Sequence, residues 1–85
     1  MLYTVYILEC ADGTLYTGCT NNLKRRLAEH NYSRTKGAKY TRNRRPVKMV
    51  WSQKYPTRGK ALSREWEIKE MTRTEKLKLV RRKLN

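Results

Sequence analysis

Five side chains of this sequence have the types and positions to do chemistry together: Tyr6, Tyr16, Arg26, His30 and Glu65. Four of them, with Gly18, fall in the stretch Thr4 to His30, TVYILECADGTLYTGCTNNLKRRLAEH, which reads as strand, tight turn, strand and helix. That order can bring them to one surface. Phosphodiester hydrolysis needs an activated water, cationic stabilisation of a pentacovalent phosphorus and usually a divalent metal, and these residue types can supply each part. A lone carboxylate suits a single Mg²⁺ (or Mn²⁺) that keeps most of its waters and takes a phosphate oxygen as ligand. A two-metal site would ordinarily require more carboxylates.

These groups need a frame. Leu2 to Cys10 (LYTVYILEC) is rich in β-branched and aromatic residues with apolar groups on both alternating faces, the pattern of a central strand. Ala11-Asp12-Gly13 follows as a turn. A two-residue loop would pair Tyr6 with Cys19 and put the two phenols on opposite faces. A three-residue loop with Gly13 in the left-handed region pairs Tyr6 with Gly18 and Leu8 with Tyr16, which makes the phenols diagonal neighbours, and it is preferred. Thr14 to Gly18 is the second strand, and Thr20 or Asn21 is expected to cap a helix running to about His30. On a helical wheel Leu23 and Leu27 mark the buried side. Arg26 and His30 border that arc, while Lys24, Arg25 and Glu29 point away from it. For Arg26, a side chain that merely snorkels past apolar surface is an equal reading.

Val47 to Tyr55 is a third strand ended by Pro56, and Thr57 can cap a second helix through about Met71. Ala61, Leu62, Trp66 and Ile68 form its expected buried arc, with Glu65 and Lys69 inside it. An inward carboxylate needs a cation, hydrogen bonds or a metal to offset its desolvation, whereas Glu67 and Glu70 point outward and need nothing. A pairing of Glu65 with Lys69 or an arginine is the plainer explanation. Thr72 to Leu84 continues as a basic helix packing through Leu77, Val80 and Leu84.

The 85 residues carry a formal charge of +14, and no Asp or Glu stands between Glu29 and Glu65. Such a one-signed field draws in polyanions, above all nucleic-acid phosphates. The stretch Asn31 to Pro46 concentrates it as a long loop: Arg34, Lys36, Lys39, Arg42, Arg44 and Arg45, with Tyr32 and Tyr40 interleaved, suit phosphate contact and base stacking. A solvated flexible loop is the bland counterpart. The basic run lacks helical amphipathicity, no apolar run spans a bilayer and no signal-peptide pattern opens the chain, so the expectation is a cytoplasmic protein that engages no membrane. Cys10 and Cys19 are then reduced thiols acting as small hydrophobes, and with one histidine they cannot complete a four-ligand zinc site.

In order and spacing the chain resembles the GIY-YIG endonuclease family over nearly its whole length. Thr4-Val5-Tyr6 stands at the first motif and Tyr16-Thr17-Gly18 at the second. Asn22-Leu23-Lys24-Arg25-Arg26-Leu27 with His30, and Ala61-Leu62-Ser63-Arg64-Glu65 with Ile68-Lys69, resemble the later pattern. Thr4 replaces the first motif's glycine, Val5 and Thr17 replace the two isoleucines, and Asn85 lies beyond the place of a late asparagine found in some relatives. The resemblance implies one small α/β (α+β) domain over residues 1–85, with a three-stranded antiparallel sheet flanked by helices in the order β-β-α-β-α-α. It implies metal-dependent hydrolysis of nucleic acid, DNA more readily than RNA, with a monomer assumed. Tyr16 would be the general base or relay with Tyr6 hydrogen-bonded nearby, Arg26 would stabilise the phosphorane, His30 would assist proton transfer or phosphate binding, and Glu65 would hold the metal. An ordinary phenol pKa near 10 requires neighbouring cations to favour phenolate, or else a relayed proton. The alternatives are a non-catalytic basic nucleic-acid-binding module and a small protein of RNA-containing machinery.

Overall fold

The structure, a computed structural model, describes residues 2–33 and 35–84; Arg34 and Asn85 lie outside the described residues, as do the Lys83 and Leu84 side chains. The order is β1 (Tyr3–Glu9), β2 (Leu15–Thr20), α1 (Leu23–Tyr32), α2 (Lys39–Arg42), β3 (Lys48–Tyr55), α3 (Arg58–Lys69) and α4 (Arg73–Leu84). The antiparallel sheet runs β2-β1-β3, so the strand with apolar residues on both faces is central, as its pattern requires. The α+β class and the three-stranded sheet match expectation. α2 is an addition to the expected order.

The turn takes the three-residue form. Gly13 has φ +83°, Tyr6 pairs with Gly18 and Leu8 with Tyr16. Asp12 Oδ1 accepts the Thr14 N–H at 3.1 Å and the Thr14 hydroxyl at 2.6 Å. Those bonds hold Thr14 in the turn, while pairing continues to Thr4 and Thr20, so β2 sits later than the expected Thr14 to Gly18.

The sheet separates two apolar layers. Val5, Ile7 and Trp51 face Ala61 and Ile68 of α3 and Val80 of α4; Tyr6, Leu8, Cys10 and Val47 form the other layer, with Tyr16 and with Leu23 and Leu27 of α1 against it. Both cysteines are free thiols, Cys10 buried and Cys19 half-buried, and burial pushes each thiol up in pKa. α1 begins one or two residues later than expected because Thr20 stays in β2 and its hydroxyl oxygen accepts the Asn22 N–H; Asn22 is the cap, accepting the Arg25 N–H at 3.0 Å. Thr57 caps α3 as expected. Thr72 and Glu75 form a reciprocal capping box for α4.

The arc expected on α3 needs correction. Ala61 and Ile68 are fully buried, but Leu62 is 38 % exposed and Trp66 65 %. Each follows an inward residue, Ala61 or Glu65, by one step of about 100° around the axis, and that step carries it past the surface the sheet covers.

The stretch Asn31 to Pro46 is also not one loop. Asn31 and Tyr32 end α1, and α2 lies in the middle. Asn31 exchanges two bonds with the Val47 backbone, Ala11 N–H donates to the Arg44 carbonyl, and Arg44 pairs with Asp12 at 3.0 Å. Arg45 turns inward, donating to the carbonyls of Glu29, His30 and Ser33. These are carbonyls at the end of α1 that have few partners of their own, and a guanidinium satisfies several at once.

Candidate active site

Tyr6 and Tyr16 rise from the face of the sheet that α1 covers. Gly18 is the reason Tyr6 can lie there: a Cβ at this position would overlap Oη and Cζ of the Tyr6 ring. The phenol therefore lies over the backbone of β2, an edge strand of the sheet. The pairing that aligns the tyrosines is also the pairing that opens the space.

His30, on the last turn of α1, is fully buried and joins this pair. Its Nε2 lies 2.9 Å from Tyr6 Oη, and its Nδ1 lies 3.0 Å from Thr41 Oγ1 of α2, whose hydroxyl donates to the Ala38 carbonyl at 3.0 Å. The ring stands edge-on to Tyr16 at 5.3 Å between centroids. Burial, with the Arg26 cation adding to it, lowers the His30 pKa to about 4, so the imidazole is neutral near pH 7. Burial pushes the Tyr6 phenol up to about 12 despite the facing Arg26 guanidinium, which favours its ionised form.

Arg26 is partly exposed. Its Nη1 donates to Glu29 Oε1 at 2.9 Å and to the Lys36 carbonyl, while the rest of its head faces Tyr6. Glu29, expected to point into solvent, folds back on this arginine, which holds its carboxyl below the usual range. Lys24 and Arg25 are exposed, as expected.

Glu65 approaches from α3, on the other face of the sheet. Its side chain is 19 % exposed and lies 3.7 Å from Lys69 Nζ. Its charge acts on both Tyr6 and Cys19, so it lies near β2. Glu67 and Glu70 are exposed. Among the described residues no three His, Cys, Asp or Glu side chains gather to cage a metal. The donor set fits a hard cation that keeps its waters on one carboxylate and completes its shell with phosphate oxygens.

The structure thus gathers Tyr6, Tyr16, Arg26 and His30 on the face of the sheet that α1 covers, with Glu65 near β2 from the opposite face. The basic residues divide. Lys36, Lys39 and Arg42 are exposed. Tyr40, 38 % exposed, stacks on Tyr16 at 5.7 Å, and the Arg44 guanidinium lies over the Tyr40 ring at 4.1 Å. Arg45 is committed to the end of α1 and stands apart from this surface.

Three features had no signal in the sequence. Thr41 sits in a four-residue helix too short to show a period, and its burial comes only from the docking of that helix. Arg73 and Lys76 of α4 share with Thr14, Leu15 and Tyr40 a depression of about 210 Å³, extending the cationic surface from the loop onto the last helix. A larger groove of about 730 Å³ lies between α1 and β3, toward the far edge of the sheet, lined by Leu23, Lys24, Leu27, Met49 and Lys54 among others. None of the five candidate side chains lines it.

Comparison with known proteins bears on this geometry. The GIY-YIG catalytic domain profile matches residues 2–78. A UPF0213 protein of Desulfotalea psychrophila is 53 % identical over 77 residues, which span 91 % of this chain and 69 % of that protein. A UPF0213 protein of Staphylococcus aureus is 49 % identical over 77 residues, spanning 91 % of this chain and 92 % of the relative. Among solved structures, the solution NMR structure of the UPF0213 protein BH0048 from Bacillus halodurans superimposes with a TM-score of 0.61 at 44 % identity, covering 94 % of this chain and 83 % of that one. The solution NMR structure of EF2693 from E. faecalis also gives 0.61, at 42 % identity, covering 89 % and 79 %.

Proposed function

The chain belongs to the GIY-YIG family, whose catalytic domains are nuclease-like, and on that premise we propose that it hydrolyses phosphodiester bonds of nucleic acid, DNA in preference to RNA. The observation that carries this reading is the convergence near β2 of two tyrosines, an arginine and a neutral histidine with one carboxylate from the opposite face.

Tyr16 is the group we assign to water activation, as base or relay. It packs against His30 and Tyr40 without being sealed off from solvent, whereas Tyr6 is 1 % exposed and its phenol holds its proton far above neutral pH. Tyr6 then orients, and its proton stays with it. Arg26, fixed by Glu29 and the Lys36 carbonyl, offers its remaining donors to a phosphoryl oxygen as charge builds there. Mg²⁺ or Mn²⁺ held by Glu65 would supply Lewis-acid polarisation of a phosphate oxygen. Lys36, Lys39, Arg42 and Arg44 carry the substrate backbone, with Tyr40 as a stacking surface and Arg73 and Lys76 beside it. Arg45 has no part in this interface. The reading takes the protein as a cytoplasmic monomer; among the described residues no helix is long and apolar enough to cross a membrane.

The competing reading, a binding module without catalysis, draws on the Glu65–Lys69 pair, which can account for the inward carboxylate by itself. A panel of DNA and RNA structures incubated with Mg²⁺ or Mn²⁺ and with EDTA separates the two. Metal-dependent cutting of any member supports the nuclease; salt-sensitive binding with no cutting across the panel overturns it.

A further inference from the structure

The segment between α1 and β3 has a second attachment to the site, through its interior rather than its cationic surface. Thr41 is one of four buried polar residues in the described chain, fully enclosed, and its hydroxyl lies within 3.0 Å of both His30 Nδ1 and the Ala38 carbonyl. A hydroxyl has one proton. If the carbonyl takes it, Thr41 Oγ1 can only accept from His30, so Nδ1 carries the hydrogen and Nε2 is left with a lone pair. Tyr6 Oη, 2.9 Å from Nε2, must then donate.

We propose that Thr41 is a positioning residue that fixes the His30 tautomer as Nδ1–H and, through it, the direction of the Tyr6 hydroxyl. With its proton turned to His30, Tyr6 presents only lone pairs to the site, facing the Arg26 guanidinium and the Tyr16 side. It accepts from Arg26 there, which helps to orient the guanidinium, and offers no donor of its own to the site. A neutral imidazole is the form such a chain requires, and the enclosed pocket, with Arg26 and Arg45 near it and Glu29 opposing, favours that form. One contact runs the other way: the Ala38 N–H lies 3.4 Å from Nδ1 and would be served by a hydrogen on Nε2. The His30 contacts to Tyr6 and Thr41 can be made in either tautomer, so the choice lies between the Thr41–Ala38 carbonyl bond at 3.0 Å and this longer contact, and the shorter bond favours Nδ1–H. α2 is thus the back wall of the candidate site, and its function there is independent of Lys39 and Arg42 on its outer surface.

The consequence for catalysis rests on the nuclease reading; the tautomer does not, and the two are measured separately. Nitrogen-15 NMR of the imidazole reads the tautomer directly, and the chain has one histidine. Wild type is expected to show a protonated Nδ1 and unprotonated Nε2 at pH 7. Thr41→Val, near-isosteric but without the acceptor, is expected to lose that preference, and Thr41→Ser to keep it. If the substrate panel yields cleavage, Thr41→Val should lower kcat by about 10- to 100-fold with KM nearly unchanged, by analogy with the loss of the partner that orients a metal-bound histidine, and Thr41→Ser should restore most of it. A wild-type Nε2–H tautomer, or an Nδ1–H preference that survives in folded Thr41→Val, overturns the proposal whether or not the protein cuts nucleic acid. Should Thr41→Val not fold, the wild-type tautomer together with Thr41→Ser still decides it.

Discussion

Acidification is the perturbation that reads the enclosed histidine most directly. His30 has a pKa of about 4 in the folded chain against an ordinary 6.5. Between these values the unfolded chain binds the proton and the folded chain does not, so stability is whole above pH 6.5 and falls as the pH drops toward 4. The full gap corresponds to roughly 3 kcal/mol, and integration from pH 7.5 to pH 5 gives a loss of about 2 kcal/mol. For a domain of this size that is a fall in Tm of about 10 °C. The carboxylates held below their usual range, Asp12, Glu29 and Glu75, lose their contribution only at lower pH, so this window isolates the imidazole. The assay is urea unfolding at half-unit steps for wild type and His30→Gln, in which the single histidine is gone. Wild type should weaken by about 2 kcal/mol more than the variant across the window. Equal slopes, or an NMR titration of His30 near 6.5, would refute the burial argument and with it the neutral state assigned at pH 7.

Three further outcomes follow from particular contacts. Thr17 Oγ1 is buried with no hydrogen-bond partner among the described residues, so Thr17→Val should stabilise the chain by about 1 kcal/mol in chemical denaturation; a loss of that size would mean that the hydroxyl has a partner in solution. Gly18→Ala places a methyl against the Tyr6 phenol and should cost about 1–3 kcal/mol, with Tyr6 displaced and any cleavage sharply reduced; near-wild-type stability would show that the ring does not lie over β2. Removing Lys39 and Arg42 together should lower the slope of log affinity against log salt by about 2, one per lost phosphate contact, whereas Arg45→Ala should act on stability and leave the slope nearly unchanged.

Much of the frame could be read from the residues because local rules agreed with one another there. β1 is apolar on both faces and is central; the Ala11-Asp12-Gly13 turn needed a left-handed glycine, and that choice also set the register that puts Tyr6 over Gly18. Glu65 stood out as a carboxylate among apolar neighbours. The structure bears out the pairing with Lys69, at 3.7 Å, and adds that Tyr6 feels the Glu65 charge. What stayed hidden depends on how elements dock. A four-residue helix has no period to detect, so neither α2 nor the burial of Thr41 was visible. Arg45 has the composition of a phosphate contact, and only the location of the α1 carbonyls shows that it points inward. The width of the α3 arc is set by how much of the helix the sheet covers, which a wheel does not contain, and so Leu62 and Trp66 were expected inside.

The central claim is that the convergent site cuts nucleic acid while the cationic surface only holds it. Its most direct test measures affinity and single-turnover cleavage side by side for wild type, Glu65→Ala and Tyr16→Phe, on the best substrate of the panel with Mg²⁺ present. The account predicts that both variants bind within a few-fold of wild type and lose cleavage by a factor of about 100 or more. Full cleavage in Glu65→Ala would return that carboxylate to a simple partner of Lys69 and contradict the account.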